Sequence, residues 1–154
     1  MTLEMSYDIN GGDFAAAGEA ATKIKRALKQ IGVDTQTTRR AAIIAYEAEM
    51  NIIIHAYRGT LQARVSPEGI EILAEDEGPG IPDIELAMQE GYSTAPERIR
   101  EMGFGAGMGL PNMKRFSDEF HITSEVGRGT KVRAVVSSPS AIPPTIPPAG
   151  WSVD

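Results

Sequence analysis

The sequence predicts a two-layer α+β sandwich, and three observations carry that reading. Strand-like segments come mainly as hairpins, "TLQARVS" with "GIEILAED" across "PEG", and "EFHITSE" with "TKVRAVVSS" across "VGRG". Hairpins favour antiparallel pairing over a doubly wound parallel sheet. Two long stretches between residues 13 and 59 space their apolar residues as helices do. At 154 residues, 42% hydrophobic and 23% charged, the chain fits one domain large enough to bury most of its apolar surface.

In order along the chain, "LEMSYDI" (3–9) alternates apolar and polar residues and predicts a first strand. Asp13 is placed to cap a helix whose inner positions run through Phe14, Ala17, Ala21, Ile24 and Leu28 to a stop near "IGVD". "TQTTRRAAIIAYEAEMNIIIHAYRG" predicts a second helix, the most buried one, with Gly59 as its stop. The first hairpin follows, then a short helix after Pro82 and the polar stretch "YSTAPERIREM". "LPNMKRFSD" predicts another short helix with Pro111 in its first turn. The second hairpin closes the domain at about residue 136, and residues 137–154, with five prolines in "PSAIPPTIPPAGWSVD", predict an extended tail.

Several function classes fall away on composition. There is no cysteine, so disulfides and thiolate metal sites are excluded and a cytoplasmic location is expected. Apolar runs such as "IIIHAY" are too short to span a bilayer, and the N-terminus carries neither region of a signal peptide. A formal charge of −6 with no basic stripe argues against nucleic acid as the main partner.

Four segments carry the chemistry. Glu47, Asn51 and His55 stand at i, i+4 and i+8 of the second helix, on one stripe of an otherwise apolar stretch. A carboxylate and a carboxamide one turn apart suit a magnesium–phosphate site, the amide oxygen as a hard neutral ligand and the carboxylate as a proton acceptor. Taken alone, the stripe reads as well as the solvated edge of an amphipathic helix. "DEGPG" sets Asp76 at a strand end before Gly78 and Gly80, where a carboxylate can accept from an exocyclic amine and bare backbone admits a flat ring. Alone, it reads as a surface turn. "GFGAGMGL" (103–110) leads glycines into a helix start, an arrangement that cradles phosphates. "GRGT" (127–130) sets a hydroxyl, Thr130, beside the last hairpin.

In this order, E-x3-N, D-x-G-x-G, the G-x-G-rich loop and G-x-G-T resemble the N, G1, G2 and G3 boxes of the GHKL ATP-binding superfamily, which includes gyrase, Hsp90, histidine kinases and MutL. The stretch "AEDEGPGIPDIELAMQEGYSTA…GAGMGLPNMKRFSDEF" is similar to the small single-domain branch of anti-sigma factors and stressosome-type switch kinases, over about residues 3–136. The resemblance implies a Bergerat-type fold, a mixed and mainly antiparallel sheet with helices covering one face. It implies ATP and magnesium as cofactors, Glu47 as general base and Asn51 as magnesium ligand. Asp76 with Thr130 would bind the adenine amine. Gly78, Gly80, Gly105, Gly107 and Gly109 would allow backbone approach, and His55, Ile81, Met108 and Leu110 would complete the nucleotide-binding set. Arg98 and Arg100 fall in the family's lid and carry two readings, a γ-phosphate contact or solvated helix charges.

The activity implied is ATP-dependent phosphorylation of serine or threonine on a STAS-domain partner in bacterial partner switching. The alternative is an ATP-holding regulator that sequesters its partner with little or no kinase activity. A sigma factor, a phosphatase or a second copy of the chain are further candidate partners; nucleic acid and membrane are not. The N box reads "EAEMN", so Glu49 is expected as a second charge competing beside Glu47.

Overall fold

In the computed structural model, which describes residues 2–92 and 109–138, five strands form one sheet in the order β1-β2-β3-β5-β4. They are β1 (Leu3–Asn10), β2 (Arg58–Ser66), β3 (Gly69–Glu77), β4 (Glu119–Glu125) and β5 (Gly129–Ser137). Among the described residues every pairing is antiparallel, so the sheet is not mixed. The tight turns force this for the two hairpins, and β3 then pairs β5 in the same sense. Register sets one apolar row across the sheet: Ala63 lies opposite Ile72, and Ile72 opposite Ala134. Leu61, Val65, Ile70, Val132 and Val136 share that buried face. The other face is polar and carries cross-strand ion pairs, among them Arg64–Glu4, Arg133–Glu71 and Lys131–Glu75. Exposed pairs of this kind each contribute about 0–1 kcal/mol.

The helices cover the apolar face. They are α1 (Glu19–Gln30), α2 (Thr35–His55), the single turn α3 (Ile84–Ala87) and α4 (Gly109–Phe116). Helix α2 is the centre of the second layer, packed on β1, β2, β3 and β5 with α1 and α4 at its sides. Ala41, Ile44, Ala45, Ala48, Ile52 and Ile53 are buried along it, against Ile24 and Leu28 of α1 and Met113 of α4. Its start is capped as the sequence predicts, the Asp34 carboxylate accepting from the Thr37 N–H at 3.0 Å. Its end is not where Gly59 suggested. The helix stops at His55, Ala56 turns extended, and Gly59 lies inside β2 opposite Asp76. A Cβ there would sit 2.7 Å from the Glu75 carbonyl oxygen and 3.0 Å from Ile52 Cδ1. The glycine therefore marks a close approach of helix to sheet, not a stop.

The start of α1 also departs from expectation. Asp13 makes no side-chain cap; residues Phe14–Ala16 form a 3₁₀ turn, and the α-helix begins at Glu19 after Gly18 at φ 89°. The cap comes from another helix. Glu49 of α2, 1% exposed, accepts from Gly18 N–H at 3.2 Å, Ala20 N–H at 3.3 Å and Ala21 N–H at 3.0 Å. A carboxylate at a helix N-terminus satisfies otherwise orphaned donors and complements the helix dipole. Glu49 is thus no rival to Glu47. Two residues along a helix lie about 200° apart around its axis, so the two carboxylates face opposite ways.

Glu49→Ala is expected to destabilise the protein by about 2–4 kcal/mol, since it strands buried N–H groups and removes the charge at the dipole. Glu49→Gln, which keeps one acceptor oxygen, should cost less. Urea unfolding of the three proteins checks this, and a loss under about 1 kcal/mol for Glu49→Ala would rule out the capping role.

Candidate functional site

The second half of α2 presents Glu47 and Asn51 half-buried, with His55 exposed at the helix end. The first residue of α4 stands directly over the first two. A Cβ on Gly109 would lie 3.1 Å from Glu47 Oε2 and 3.2 Å from Asn51 Oδ1, so any side chain there would crowd both groups. α4 is anchored by buried Met113 and Leu110, and at its far end the Arg40 Nε–H donates to the Phe116 carbonyl at 3.0 Å. The first turn of α4 is thereby brought beside a carboxylate and a carboxamide.

Burial pushes the Glu47 carboxyl above its ordinary range, and a hydrogen bond with the Asn112 side chain opposes that shift. A carboxylate of raised proton affinity is a better proton acceptor. Asn112 was missed from the sequence, although it sits one turn after Gly109 on the same helix. Among the described residues no group of three or more His, Asp or Glu could hold a metal ion. The donors that are present, an amide oxygen beside one carboxylate, fit a magnesium ion that keeps most of its ligands from water and a bound phosphate.

The other end of the site is built where β3 leaves the sheet. Asp76 Oδ1 accepts from the Thr130 N–H at 3.2 Å, and burial raises its carboxyl while that bond lowers it. The 78–80 turn is stitched to the β4–β5 hairpin, Gly78 N–H to the Arg128 carbonyl and Gly127 N–H to the Pro79 carbonyl, each at 2.9 Å. A Cβ on Gly78 would lie 3.0 Å from Ala56 Cα, and one on Gly80, at φ +76°, only 2.4 Å from the Glu125 carbonyl oxygen. The room that these glycines leave is taken by the protein's own backbone. Internal packing requires them whether or not a flat ring also approaches.

Ser124 organises this end and was not singled out from the sequence. Its hydroxyl accepts from the Ile81 N–H at 2.7 Å, donates to the Gly129 carbonyl at 3.0 Å and lies 2.9 Å from Thr130 Oγ1. With its single proton on the carbonyl, Ser124 accepts from Thr130, which leaves Thr130 Oγ1 only acceptor capacity. Asp76 and Thr130 therefore offer acceptors to a ligand, which suits an amine edge and not a carbonyl. A signal was present: in "EFHITSE" the inward-facing positions are Phe120, Ile122 and Ser124, one hydroxyl on an apolar row.

The structure thus brings Glu47, Asn51 and Gly109 together, and Asp76, Gly78, Gly80, Ile81 and Thr130 together, with Leu110 buried behind the first group. The C-terminal turn of α2 joins the two, since Ala56 packs on Gly78. Gly105, Gly107, Met108, Arg98 and Arg100 lie outside the described residues.

Comparison with known proteins shows the family. The family described as histidine kinase-like ATPase domain matches residues 13–136. The chain is 37% identical over 111 residues to the serine/threonine-protein kinase RsbT of Bacillus subtilis, covering 70% of this chain and 77% of that protein. It is 34% identical over 138 residues to the anti-sigma F factor of Geobacillus stearothermophilus, 86% of this chain and 88% of that one. With the anti-sigma F factor of Thermoanaerobacter sp. (strain X514) it shares 44% over 92 residues, 56% of this chain and 61% of the relative.

A group whose folded pKa is raised favours folding below its unfolded pKa, and that contribution is lost as pH rises through the folded value. Glu47 is such a group. Glu47→Gln is therefore expected to melt above the wild type at about pH 7.5, with the gap closing at about pH 4, where the wild-type carboxyl is largely protonated. Differential scanning fluorimetry at the two pH values checks this. A mutant that melts below the wild type at the higher pH would show that Glu47 is not paying a desolvation cost.

Proposed function

The chain belongs to the histidine kinase-like ATPase domain family, and on that premise we propose that it is an ATP-dependent serine/threonine-protein kinase of the switch type, acting on a STAS-domain partner. The observation that carries this reading is the placement of a half-buried Glu47, its proton affinity raised by desolvation, beside Asn51 at the first residue of α4. A nucleotide pocket needs the phosphate end; a base there is needed only where the phosphoryl group is passed on, to a hydroxyl or to water. The similarity to RsbT, named a serine/threonine-protein kinase, supports the same assignment.

Each residue then has a task. Asp76 and Thr130 accept from the exocyclic amine of adenine. The backbone N–H groups at the start of α4 face the phosphates, where helix dipole and free donors favour negative charge. Asn51 Oδ1 would hold magnesium, which when bound would neutralise phosphate charge. Glu47 takes the proton from the serine or threonine hydroxyl as its oxygen bonds to the γ-phosphorus and the bond to the ADP oxygen breaks. Asn112, bonded to the same carboxylate, orients it. Residues 1–136 form the proposed kinase domain and residues 137–154, the proline-rich tail, a separate segment. Among the described residues no helix is long and apolar enough to cross a membrane, and a cytoplasmic location is part of the proposal.

A second reading, an ATP-holding regulator that sequesters its partner, is favoured by the similarity to anti-sigma F factors. The two readings separate at Glu47, which a pure binder does not require as a base.

Isothermal titration calorimetry should show magnesium-dependent binding of ATP and ADP, weakened about 10- to 100-fold by Asp76→Asn, whose amide puts a donor against the amine. Glu47→Gln should change nucleotide affinity by no more than a few-fold yet lower phosphate transfer to the STAS partner by roughly 10²–10⁴. Asn51→Ala should damage both. Transfer at the wild-type rate by Glu47→Gln would refute the base assignment, and no transfer by the wild type would leave the sequestering reading.

Removal of residues 139–154, Trp151 included, is expected to leave nucleotide affinity and melting temperature unchanged. Strand β5 ends at Ser137, and the Ser138 N–H is already bonded to the Glu68 carbonyl at 2.8 Å. Loss of affinity in the truncated chain would place the tail in the site.

A further inference from the structure

A groove of about 780 Å³ runs between α1 and α2 on the side of the domain away from the sheet, and Glu47 stands at one end of it. Lys23, Lys25 and Arg26 of α1 and Arg39 of α2 line it, all four exposed, around a floor that includes Ile43 and Tyr46. Arg40, Arg58, Arg64, Arg115, Arg128, Lys131 and Arg133 each hold an ion pair, whereas among the described residues the four groove cations hold none, nor do Lys29 and Lys114 outside the groove. The ammonium of Lys23 lies over the ring of Tyr7 at 5.9 Å from its centroid. Glu19 and Glu47 are the acidic groups on the groove, so it is net positive in a chain of charge −6. On α2, Arg39, Ile43, Glu47 and Asn51 follow at intervals of four residues. The groove and the base thus share one row of the helix.

We propose that this groove seats an acidic segment of the protein substrate and so delivers the neighbouring hydroxyl to Glu47. The inference rests on the kinase reading for the delivery, but the docking itself needs no nucleotide. Unpaired cations around a half-exposed tyrosine make a surface that steers and orients an acidic polypeptide, with the ring as anchor. A polypeptide fits better than a nucleic acid strand, because Ile43 and Tyr46 offer an apolar floor, and the rest of the chain repels a phosphate backbone.

The test uses the full chain and two fluorescein-labelled peptides, a serine flanked on each side by glutamates and its lysine-flanked counterpart. Fluorescence anisotropy without nucleotide should show the acidic peptide binding roughly tenfold or more tighter than the basic one, and weakening with salt. Lys23→Glu with Arg26→Glu should abolish that preference while ATP affinity is kept. Arg58→Glu with Arg64→Glu, the same charge change on the sheet, should alter peptide binding by no more than about threefold. Equal loss in both double variants, no saturable binding of the acidic peptide at millimolar concentration, or tighter binding of a single-stranded oligonucleotide would overturn the proposal. Labelled ATP separates this from the kinase reading. Groove-dependent peptide binding without phosphate transfer to the STAS partner upholds the docking site and sinks the kinase, whereas transfer to that partner undiminished by Lys23→Glu/Arg26→Glu does the reverse.

Discussion

A single buried carboxylate fixes the rotation of the helix on which the rest of the site depends. Glu49 accepts from three backbone N–H groups around the start of α1, and at 1% exposure it has no water to turn to instead. Charge-assisted bonds of this kind are directional and strong. Once Glu49 points at α1, every other residue of α2 has its direction set by the 100° step between neighbours. Glu47 and Asn51 must then face α4, and the row of Ala48 and Ile52 must face the sheet. Structure and chemistry are divided between opposite sides of one helix.

The same helix is drawn close to the end of β3 by residues that have no side chain to interfere. Gly59 admits Ile52, Gly78 admits Ala56, and Gly109 lets the start of α4 settle over Glu47 and Asn51. Close packing of this kind is rigid, since neither backbone nor a core isoleucine yields cheaply. The cost falls on two carboxylates of the candidate site. Glu47 and Asp76 are both held where burial disfavours their charge, each relieved by one hydrogen bond. That tension is the usual mark of a site arranged for a ligand or a reaction and not for stability.

Polar order at the far end is similarly economical. Ser124 joins the 80–81 turn, the Gly129 carbonyl and the Thr130 hydroxyl through one oxygen. The acceptor character of the Thr130 hydroxyl is thus set from an edge strand, by the hydrogen bonds of Ser124.

Much of this could be read from the residues. The hairpins, the alternation along β2, β3 and β5 and the burial of α2 follow from periodicity, because a half-buried strand or helix must repeat its apolar side chains at its own period. The four boxes identified the family because the order of Glu47, Asn51, Asp76, Gly109 and Thr130 survives in one dimension. What the sequence could not determine depends on partners distant in the chain. Asp13 had the residue type of a helix cap, yet the cap was Glu49, 28 to 31 positions after the N–H groups it accepts from, since a hydrogen bond is set by distance in space and not along the chain. Gly59 resembled a stop and proved a contact, because a glycine's sequence neighbours do not reveal what lies against its missing Cβ. Asn112 and Ser124 became functional neighbours only when α4 and β4 were packed against the box residues. Periodicity is a property of the local backbone and is legible in the sequence; convergence is a property of the packed layers, and only the tertiary structure decides it.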